Sequence, residues 1–180
     1  NTSFNETLPY IKKLDPGFNS LFTLQRDLDA DVPRFNYQMK SYRSNPSTIV
    51  NLDFPYLIPF EPGTKIRAKE VENLDGFWGN KELKSWVAIG FYANSGDKIY
   101  ASRQGTIVEI AGDVKQGESI YWYHTWNKSI TLLQADGTLI CYRNVRAENL
   151  EINQKVYAGE MLGTVAGGAS DIVLLIYQNS

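Results

Sequence analysis

The sequence predicts an all-β domain, a β-sandwich or barrel-sandwich hybrid, with a short and partly helical N-terminal extension. Apolar stretches of strand length recur from about residue 49 onward, and the segments between them have the composition of tight turns. The clearest hairpin signal is Asp136-Gly137, between two strand-like stretches. Many short strands, tight turns and no long helical pattern are typical of sandwiches and barrels.

Two regions of the chain differ in residue composition and in the pattern of apolar residues. We expect residues 1–53 to form an extension that packs on the main domain, and residues 54–180 to form the β domain. Three prolines in the first 33 residues limit any helix there to a short length. Within the extension, Asn19 or Ser20 is a candidate cap for a helix from Leu21 to Leu28.

The main domain offers a series of candidate strands. The stretch "IVNLDFPYLIPF" is broken by two prolines and predicts an edge or an irregular crossing segment. "TKIRAKEV" predicts a half-exposed strand, and the continuous apolar stretch "SWVAIGFYA" predicts a strand buried on both faces. The further candidates are "KIYAS", "GTIVEIAG", "SIYWYHTW", "SITLLQADGTLICYRNV", "KVYAGEMLGTVAG" and "DIVLLIYQ".

Composition excludes several classes of function. The net charge of −2 gives no electrostatic reason to expect a nucleic-acid partner or an anionic membrane surface. One cysteine, Cys141, excludes an internal disulfide and a cysteine-based metal cluster, and its apolar surroundings predict a buried structural thiol. No apolar stretch approaches the roughly 20 residues that a transmembrane helix needs.

Three motifs, in this order, resemble the lysostaphin/LytM-type zinc metallopeptidase family. A pattern of the form G-x-x-V-x-A-x-x-x-G-x-V is matched by Gly96 to Val108, a strand pair by Ile130 to Val145, and a V-x-x-G-x-x-I-G tail by Val156 to Gly163. The resemblance covers about Phe54 to Gln178. It implies the β-sandwich of that family, a duplicated-hybrid-motif architecture.

The family's active site is a zinc ion held by two histidines and an aspartate, with a further histidine that assists the water. Its motifs are H-x-x-x-D, Y-x-H-L and H-x-H-F-E. In this sequence the matching positions are Trp86, Gly90, Asn144, Val173 and Leu175. None of these is a histidine or an aspartate, and valine and leucine offer zinc no lone pair. We therefore expect a degenerate site with no metal, no cofactor and no zinc peptidase activity.

Aromatic residues suggest a possible ligand groove. The only histidine, His124, lies in "YWYHTWN", and aromatic rings beside a polar group suit the stacking of sugars or the holding of a peptide. An aromatic strand pair covered by the extension is the alternative. The candidate groove residues are Phe77, Trp78, Tyr121, Trp122, Tyr123, His124 and Trp126.

The resemblance implies a catalytically inactive metallopeptidase-like domain of the bacterial cell envelope. Such a domain would bind peptidoglycan, or would regulate or scaffold a peptidoglycan hydrolase. The alternatives are a barrel-sandwich module for protein binding or assembly unrelated to the cell wall, an active enzyme with a new carboxylate site and, less favoured, an active peptidase. The expected location is periplasmic, cell-surface or secreted, with a signal or anchor removed upstream of Asn1.

Overall fold

The structure is a computed structural model, and its described residues are 2–3, 12–15, 18–23, 25–26, 38, 51, 53–72, 85–112, 128–167 and 171–178. All regular structure in these residues is β-strand, which confirms the all-β prediction. The chain divides into two compact units, Asn1–Lys40 and Ser41–Ser180. The division expected from composition, between residues 53 and 54, stays a prediction.

The first unit contains a two-stranded antiparallel sheet of β1 (Thr2–Ser3) and β2 (Gln25–Arg26). The helix expected from Leu21 to Leu28 is wrong for the described residues of that range, which are irregular or belong to β2. The side chain of Asn19 bonds back to Asp15, accepting from its N–H at 3.0 Å and donating to its carbonyl at 2.7 Å. These bonds close the preceding loop, whereas a helix cap accepts from N–H groups that follow it.

The second unit contains the remaining described strands, which form two sheets. In chain order the strands are β3 (Arg67–Glu70), β4 (Ser85–Tyr92), β5 (Lys98–Tyr100), β6 (Gly105–Ala111), β7 (Ser129–Leu133), β8 (Leu139–Arg143), β9 (Val145–Ala147), β10 (Lys155–Val156), β11 (Met161–Val165) and β12 (Asp171–Gln178). A larger sheet has the order β10-β6-β7-β8-β12-β4-β3, and a smaller sheet has the order β5-β11-β9. Neighbouring strands in both sheets are antiparallel.

The larger sheet carries apolar side chains on both faces. Successive side chains point to opposite sides of a strand, and here both sets are apolar. Its inner face joins the smaller sheet in one buried cluster, which includes Ile99, Ile107, Leu132, Tyr142, Leu162, Ile172 and Leu174. Its outer face carries a second buried cluster, formed by Ala88, Leu139, Cys141, Val173, Leu175 and Tyr177. Both faces of β12 are therefore buried, as a central strand without alternation predicts.

The strand β4 departs from the prediction of burial on both faces. Val87 is 55% exposed and Tyr92 is 41% exposed, whereas Ala88 and Phe91 are buried. The short edge strand β3 pairs with residues 89–92 of β4. Val87 lies beyond that pairing.

A buried arginine attaches the irregular segment 53–60 to the β7–β8 hairpin. Arg103 Nη1 donates to Asp136 Oδ2 at 2.7 Å, to Gln134 Oε1 at 3.0 Å and to the Tyr56 hydroxyl at 3.1 Å. Its guanidinium carbon also lies 3.5 Å from the centroid of the Phe54 ring. A guanidinium has five N–H donors in a planar group, so one side chain can join several partners.

The charge of Asp136 is stabilised by this network. Burial alone raises the pKa of Asp136, but hydrogen bonds from Thr138 and Arg103 outweigh burial and leave the pKa below its ordinary value. Thr138 Oγ1 donates to Asp136 Oδ1 at 2.6 Å, and the Thr138 N–H donates to the same oxygen at 3.2 Å. The turn of the predicted Asp136-Gly137 hairpin is confirmed, with Gly137 at a φ of 76°.

One glycine permits the close approach of β9 and β11. Gly163 pairs with Ala147, and a Cβ atom added at Gly163 would overlap the carbonyl oxygen of Arg146. Because that oxygen belongs to the backbone, the strands themselves would have to separate to admit a methyl group.

Gly163→Ala is expected to lower the free energy of unfolding by about 3 kcal/mol, a large effect for one methyl group that reflects this overlap. The measurement is urea denaturation of the full chain. Gly112→Ala is the matched control, because a Cβ atom there meets no atom within 4 Å. Equal effects of the two substitutions would contradict the close packing of β9 on β11.

Asp136→Asn is expected to destabilise the fold by about 2 kcal/mol at neutral pH, because it leaves the buried Arg103 without its charged partner. Since the folded-state pKa of Asp136 is lowered, its contribution is present above the unfolded value of 3.8 and is lost as pH falls through the folded value. Urea denaturation should therefore show the difference between wild type and variant shrinking below pH 3.8. A difference that persists unchanged in acid would contradict the role of this charge, and the exposed Asp53→Asn is the control.

Candidate functional site

The positions that match the family's metal ligands lie mainly on the outer face of the larger sheet. Val173 on β12 lies directly opposite Gly90 on β4 and, on its other side, directly opposite Arg143 on β8. Lys69 on β3 is the Cα partner of Gly90. These four residues therefore form one row across four neighbouring strands, and strands in a sheet are spaced about 4.8 Å apart.

Leu175 lies in the next row of the outer face, between Ala88 and Cys141. Trp86 is two further residues along β4 and pairs with Tyr177. Four residues of a strand span about 13 Å, so Trp86 lies well away from Gly90. The structure thus brings Gly90, Val173 and Leu175 together and does not bring Trp86 to them.

Asn144 follows Arg143 at the turn between β8 and β9. It has a φ of 62° and is 8% exposed. Asparagine tolerates this left-handed conformation better than most residues other than glycine. Its carbonyl oxygen accepts a hydrogen bond from the Ala166 N–H at 2.9 Å. Its backbone therefore has a structural role that is independent of any ligand.

The side chain of Lys69 fills the space that Gly90 leaves. A Cβ atom added at Gly90 would lie 3.2 Å from Lys69 Cε and 3.3 Å from Lys69 Cγ. The Lys69 ammonium lies 4.8 Å from the centroid of the Tyr92 ring, and the Arg67 guanidinium lies 5.2 Å from the same centroid. The position that matches the family's aspartate is therefore covered by a hydrocarbon chain that ends in a positive charge.

The rest of this region combines apolar and cationic groups. Val173 is 5% exposed and Leu175 is fully buried. Arg143 is 8% exposed, and burial lowers its pKa below the ordinary value of an arginine. Cys141 is buried, as predicted, and burial raises the pKa of its thiol to about 11. A thiol with that pKa is protonated at neutral pH, so it is a poor nucleophile and a poor metal ligand.

A zinc ion does not fit these residues. Zinc in proteins is bound by thiolate, imidazole or carboxylate groups at about 2.0–2.3 Å. Val173 and Leu175 offer carbon alone, Gly90 has no side chain, and the flanking Lys69 and Arg143 would repel a cation. Within the described ranges, no group of three or more His, Cys, Asp or Glu side chains is placed to hold a metal.

The predicted aromatic groove lies outside the described residues. Phe77, Trp78 and the stretch from Tyr121 to Trp126, with His124, belong to segments that the structure does not describe. Their role as a groove stays a prediction. In the part of the chain that is described, there is no helix with the length and apolarity to cross a membrane.

Sequence reasoning missed the cations that accompany the ligand positions. Lys69 lies in "TKIRAKEV", which predicts a strand but not its neighbour in the sheet, and Arg143 lies between the matched Tyr142 and Asn144. The sequence did contain one usable signal. Lys69 is two residues after Arg67 in a predicted strand, so both side chains are expected on the same face of that strand. Pairing of β3 with β4, which brings Lys69 onto Gly90, is not a local property of either segment.

Comparisons with solved structures return the family whose motifs the sequence resembles. The solution structure of lysostaphin is matched at 23% identity and a TM-score of 0.40, over 52% of this chain and 36% of lysostaphin. A protein assigned as an M23 peptidase from Pseudomonas aeruginosa is matched at 18% identity and a TM-score of 0.38, over 50% and 37% of the two chains. A protein assigned as a glycyl-glycine endopeptidase LytM from Ruminococcus gnavus is matched at 17% identity and a TM-score of 0.42, over 71% and 53%.

This chain thus spans between about a third and about half of the length of these structures. No protein-family model matches the sequence, and a search of curated proteins returned no match. Identities and TM-scores this low leave the activity of the chain to be argued from its own residues.

Leu175→Ala is expected to lower the free energy of unfolding by about 2–5 kcal/mol, because it removes a fully buried side chain from a strand with two apolar faces. Val87→Ala on the neighbouring strand is the matched control and should change it by less than about 0.5 kcal/mol, since Val87 is 55% exposed. Denaturation of both variants in urea measures the difference. Equal, small effects would mean that the outer face is open at Leu175.

Proposed function

We propose that the chain is a catalytically inactive metallopeptidase-like domain of the bacterial cell envelope. In this proposal it binds peptidoglycan, or it regulates or scaffolds a peptidoglycan hydrolase. The observation that supports the proposed loss of catalysis is the row Lys69–Gly90–Val173–Arg143, in which two cations flank Gly90 and Val173, the two positions of the row that the motifs match to metal ligands.

The burial of the matched positions also supports inactivity. Hydrolysis by a zinc peptidase requires three protein ligands and an open coordination position for water. The positions matched to two of those ligands, Val173 and Leu175, are buried and apolar, so they belong to the packed interior of the sheet. A replacement of ligands by packing residues removes the cost of burying unpaired polar groups.

A retained fold without its catalytic residues is suited to recognition. The aromatic stretch from Tyr121 to Trp126 and the Phe77-Trp78 pair have the residue types that stack on sugar rings. Peptidoglycan is accordingly the ligand we propose for this domain, by analogy with the family it resembles. Its location would be periplasmic, cell-surface or secreted.

Zinc binding and cleavage test the loss of catalysis. Metal-free full-length protein is incubated with stoichiometric zinc, freed of excess zinc, and assayed for zinc content and for digestion of purified peptidoglycan, with lysostaphin as the positive control. The proposal predicts no retained zinc and no digestion. About one zinc per chain together with cleavage would overturn it and would restore the enzyme interpretation.

Sedimentation with purified sacculi tests the positive role. Wild-type protein should co-sediment, and Trp122→Ala together with Trp126→Ala should reduce the bound fraction at least tenfold, because two stacking rings of about 1 kcal/mol each are removed. Tyr157→Ala is the matched control, since Tyr157 is an exposed aromatic residue, 57% accessible, outside the proposed groove. Failure of the wild type to sediment would favour the alternative, a protein-binding module unrelated to the cell wall.

A further inference from the structure

The edge of the larger sheet at β3 is exposed to solvent. β3 is the last strand in the order of that sheet, and among the described strands it pairs with β4 alone. All four of its residues, Arg67–Glu70, are exposed. An exposed edge strand carries backbone N–H and C=O groups that another extended segment can bind. This edge is therefore a candidate for binding a partner by strand addition.

The register shows which backbone groups of β3 face outward. The Val71 N–H donates to the Ala88 carbonyl at 3.0 Å. Hydrogen-bonded pairs alternate with non-bonded pairs along an antiparallel ladder, so Lys69, two residues earlier, also directs its backbone groups toward β4. Ala68 and Glu70 direct theirs away from β4. These two residues offer two donors and two acceptors to a further strand.

The side chains along this edge have an alternating pattern of charge. Lys65, Arg67 and Lys69 are separated by single residues, and all three are exposed. Arg67 and Lys69 lie on the outer face, where their charged groups are 5.2 and 4.8 Å from the centroid of the Tyr92 ring. Glu70 points to the opposite face. A strand added here would therefore meet two cations on one face and a carboxylate on the other.

A second copy of this chain does not fit the edge. Strand addition places side chains of one face opposite each other, and like charges in opposite positions are destabilising. If β3 paired with β3 of another molecule, Arg67 and Lys69 would face the same cations. A shifted register would instead place Glu70 opposite Glu70. Charged edge residues, lysine above all, protect native sheets against such pairing.

We propose that the β3 edge binds an extended segment of a partner protein that carries acidic residues at alternate positions. The segment pairs antiparallel to β3, with backbone hydrogen bonds to Ala68 and Glu70. Two of its carboxylates lie opposite Arg67 and Lys69. These are the non-hydrogen-bonded positions of the added strand, at which side chains approach most closely. A lysine opposite Glu70 completes the charge match.

A peptide is favoured over a polyanion such as a polyphosphate or a nucleic acid. A polyanion would use the cations alone and would be repelled by Glu70 and Glu72, which are exposed. A peptide uses charges of both signs and, in addition, the outward backbone groups of Ala68. The proposal does not depend on the binding of peptidoglycan.

The test is an NMR titration of the isotopically labelled full chain with a synthetic peptide. The peptide, acetyl-Lys-Thr-Lys-Glu-Thr-Glu-amide, has no net charge and matches residues 67–72 in antiparallel order. We expect a saturating shift of the backbone amide resonances of Ala68 and Glu70. We also expect slower hydrogen exchange of these two amides, because they become donors to the added strand.

A proline peptide tests the role of the backbone. Its second threonine is replaced by proline, which removes the N–H that would donate to the Ala68 carbonyl and leaves every charge in place. This peptide should bind at least fivefold more weakly than the original, because proline cannot donate to the ladder of a sheet.

An exchange of charges tests the register. Arg67→Glu should bind the original peptide at least threefold more weakly, since an attractive pair becomes a repulsive one. A peptide with lysine as its last residue should bind this variant at least threefold more tightly than the original peptide does. Arg67 is exposed, so the variant should keep the fold. Lys98→Glu changes an exposed lysine of β5, in the other sheet, and is the matched control that should bind like wild type.

Four results would overturn the proposal. The absence of a saturating shift at Ala68 and Glu70 would mean that β3 is only a protected edge. Equal binding of the proline peptide, or equal binding of inorganic polyphosphate, would mean that the side chains bind without the backbone. Undiminished binding by Arg67→Glu would mean that the cations do not select the partner.

Discussion

The structure depends above all on β12, the strand that pairs with β4 and β8 along most of its length. The registers of β4 and β8 are both set by their pairing with β12, and a strand without charged residues in its middle can be buried on both sides. Ile172 and Leu174 contribute to the cluster that joins the two sheets, whereas Val173 and Leu175 contribute to the outer cluster. A single strand therefore connects the two halves of the apolar interior.

Burial of the outer face is also the physical basis of the inactivity that we propose. A catalytic zinc site requires protein ligands with lone pairs and a coordination position that water can occupy. Here the corresponding surface is apolar, Lys69 covers Gly90, and burial holds the Cys141 thiol protonated. In the proposed account, apolar residues at the matched positions add packing, so the absence of a metal would not by itself destabilise the fold.

Much of the fold could be predicted from the sequence because its signals are local. Turn residues such as Gly137 and continuous apolar stretches such as β12 depend on nearby chain alone. The Arg103 network could not be predicted, because its partners Tyr56 and Gln134 are 47 and 31 residues away in the sequence. The exposure of Val87 and the bonds of Asn19 to Asp15 likewise depend on neighbours that periodicity does not identify.

In the candidate site, too, some features could be predicted from local sequence and others depend on distant parts of the chain. Matching motifs located Gly90 and Val173, and strand pairing places them opposite one another. The cations that flank them come from β3 and β8, and the register of a sheet is set by tertiary packing as well as by local sequence.

The most direct test of this account uses the single cysteine. Cys141 lies opposite Leu175 on the outer face and is 2% exposed. The measurement is the rate at which a water-soluble thiol reagent modifies Cys141 in the native full chain, compared with the rate in denaturant. If the outer face is sealed, modification should require unfolding and its rate should follow the unfolded fraction as denaturant is added. A native-state rate close to that of the denatured chain would show an open groove and would contradict the proposal that packing residues replace the metal site.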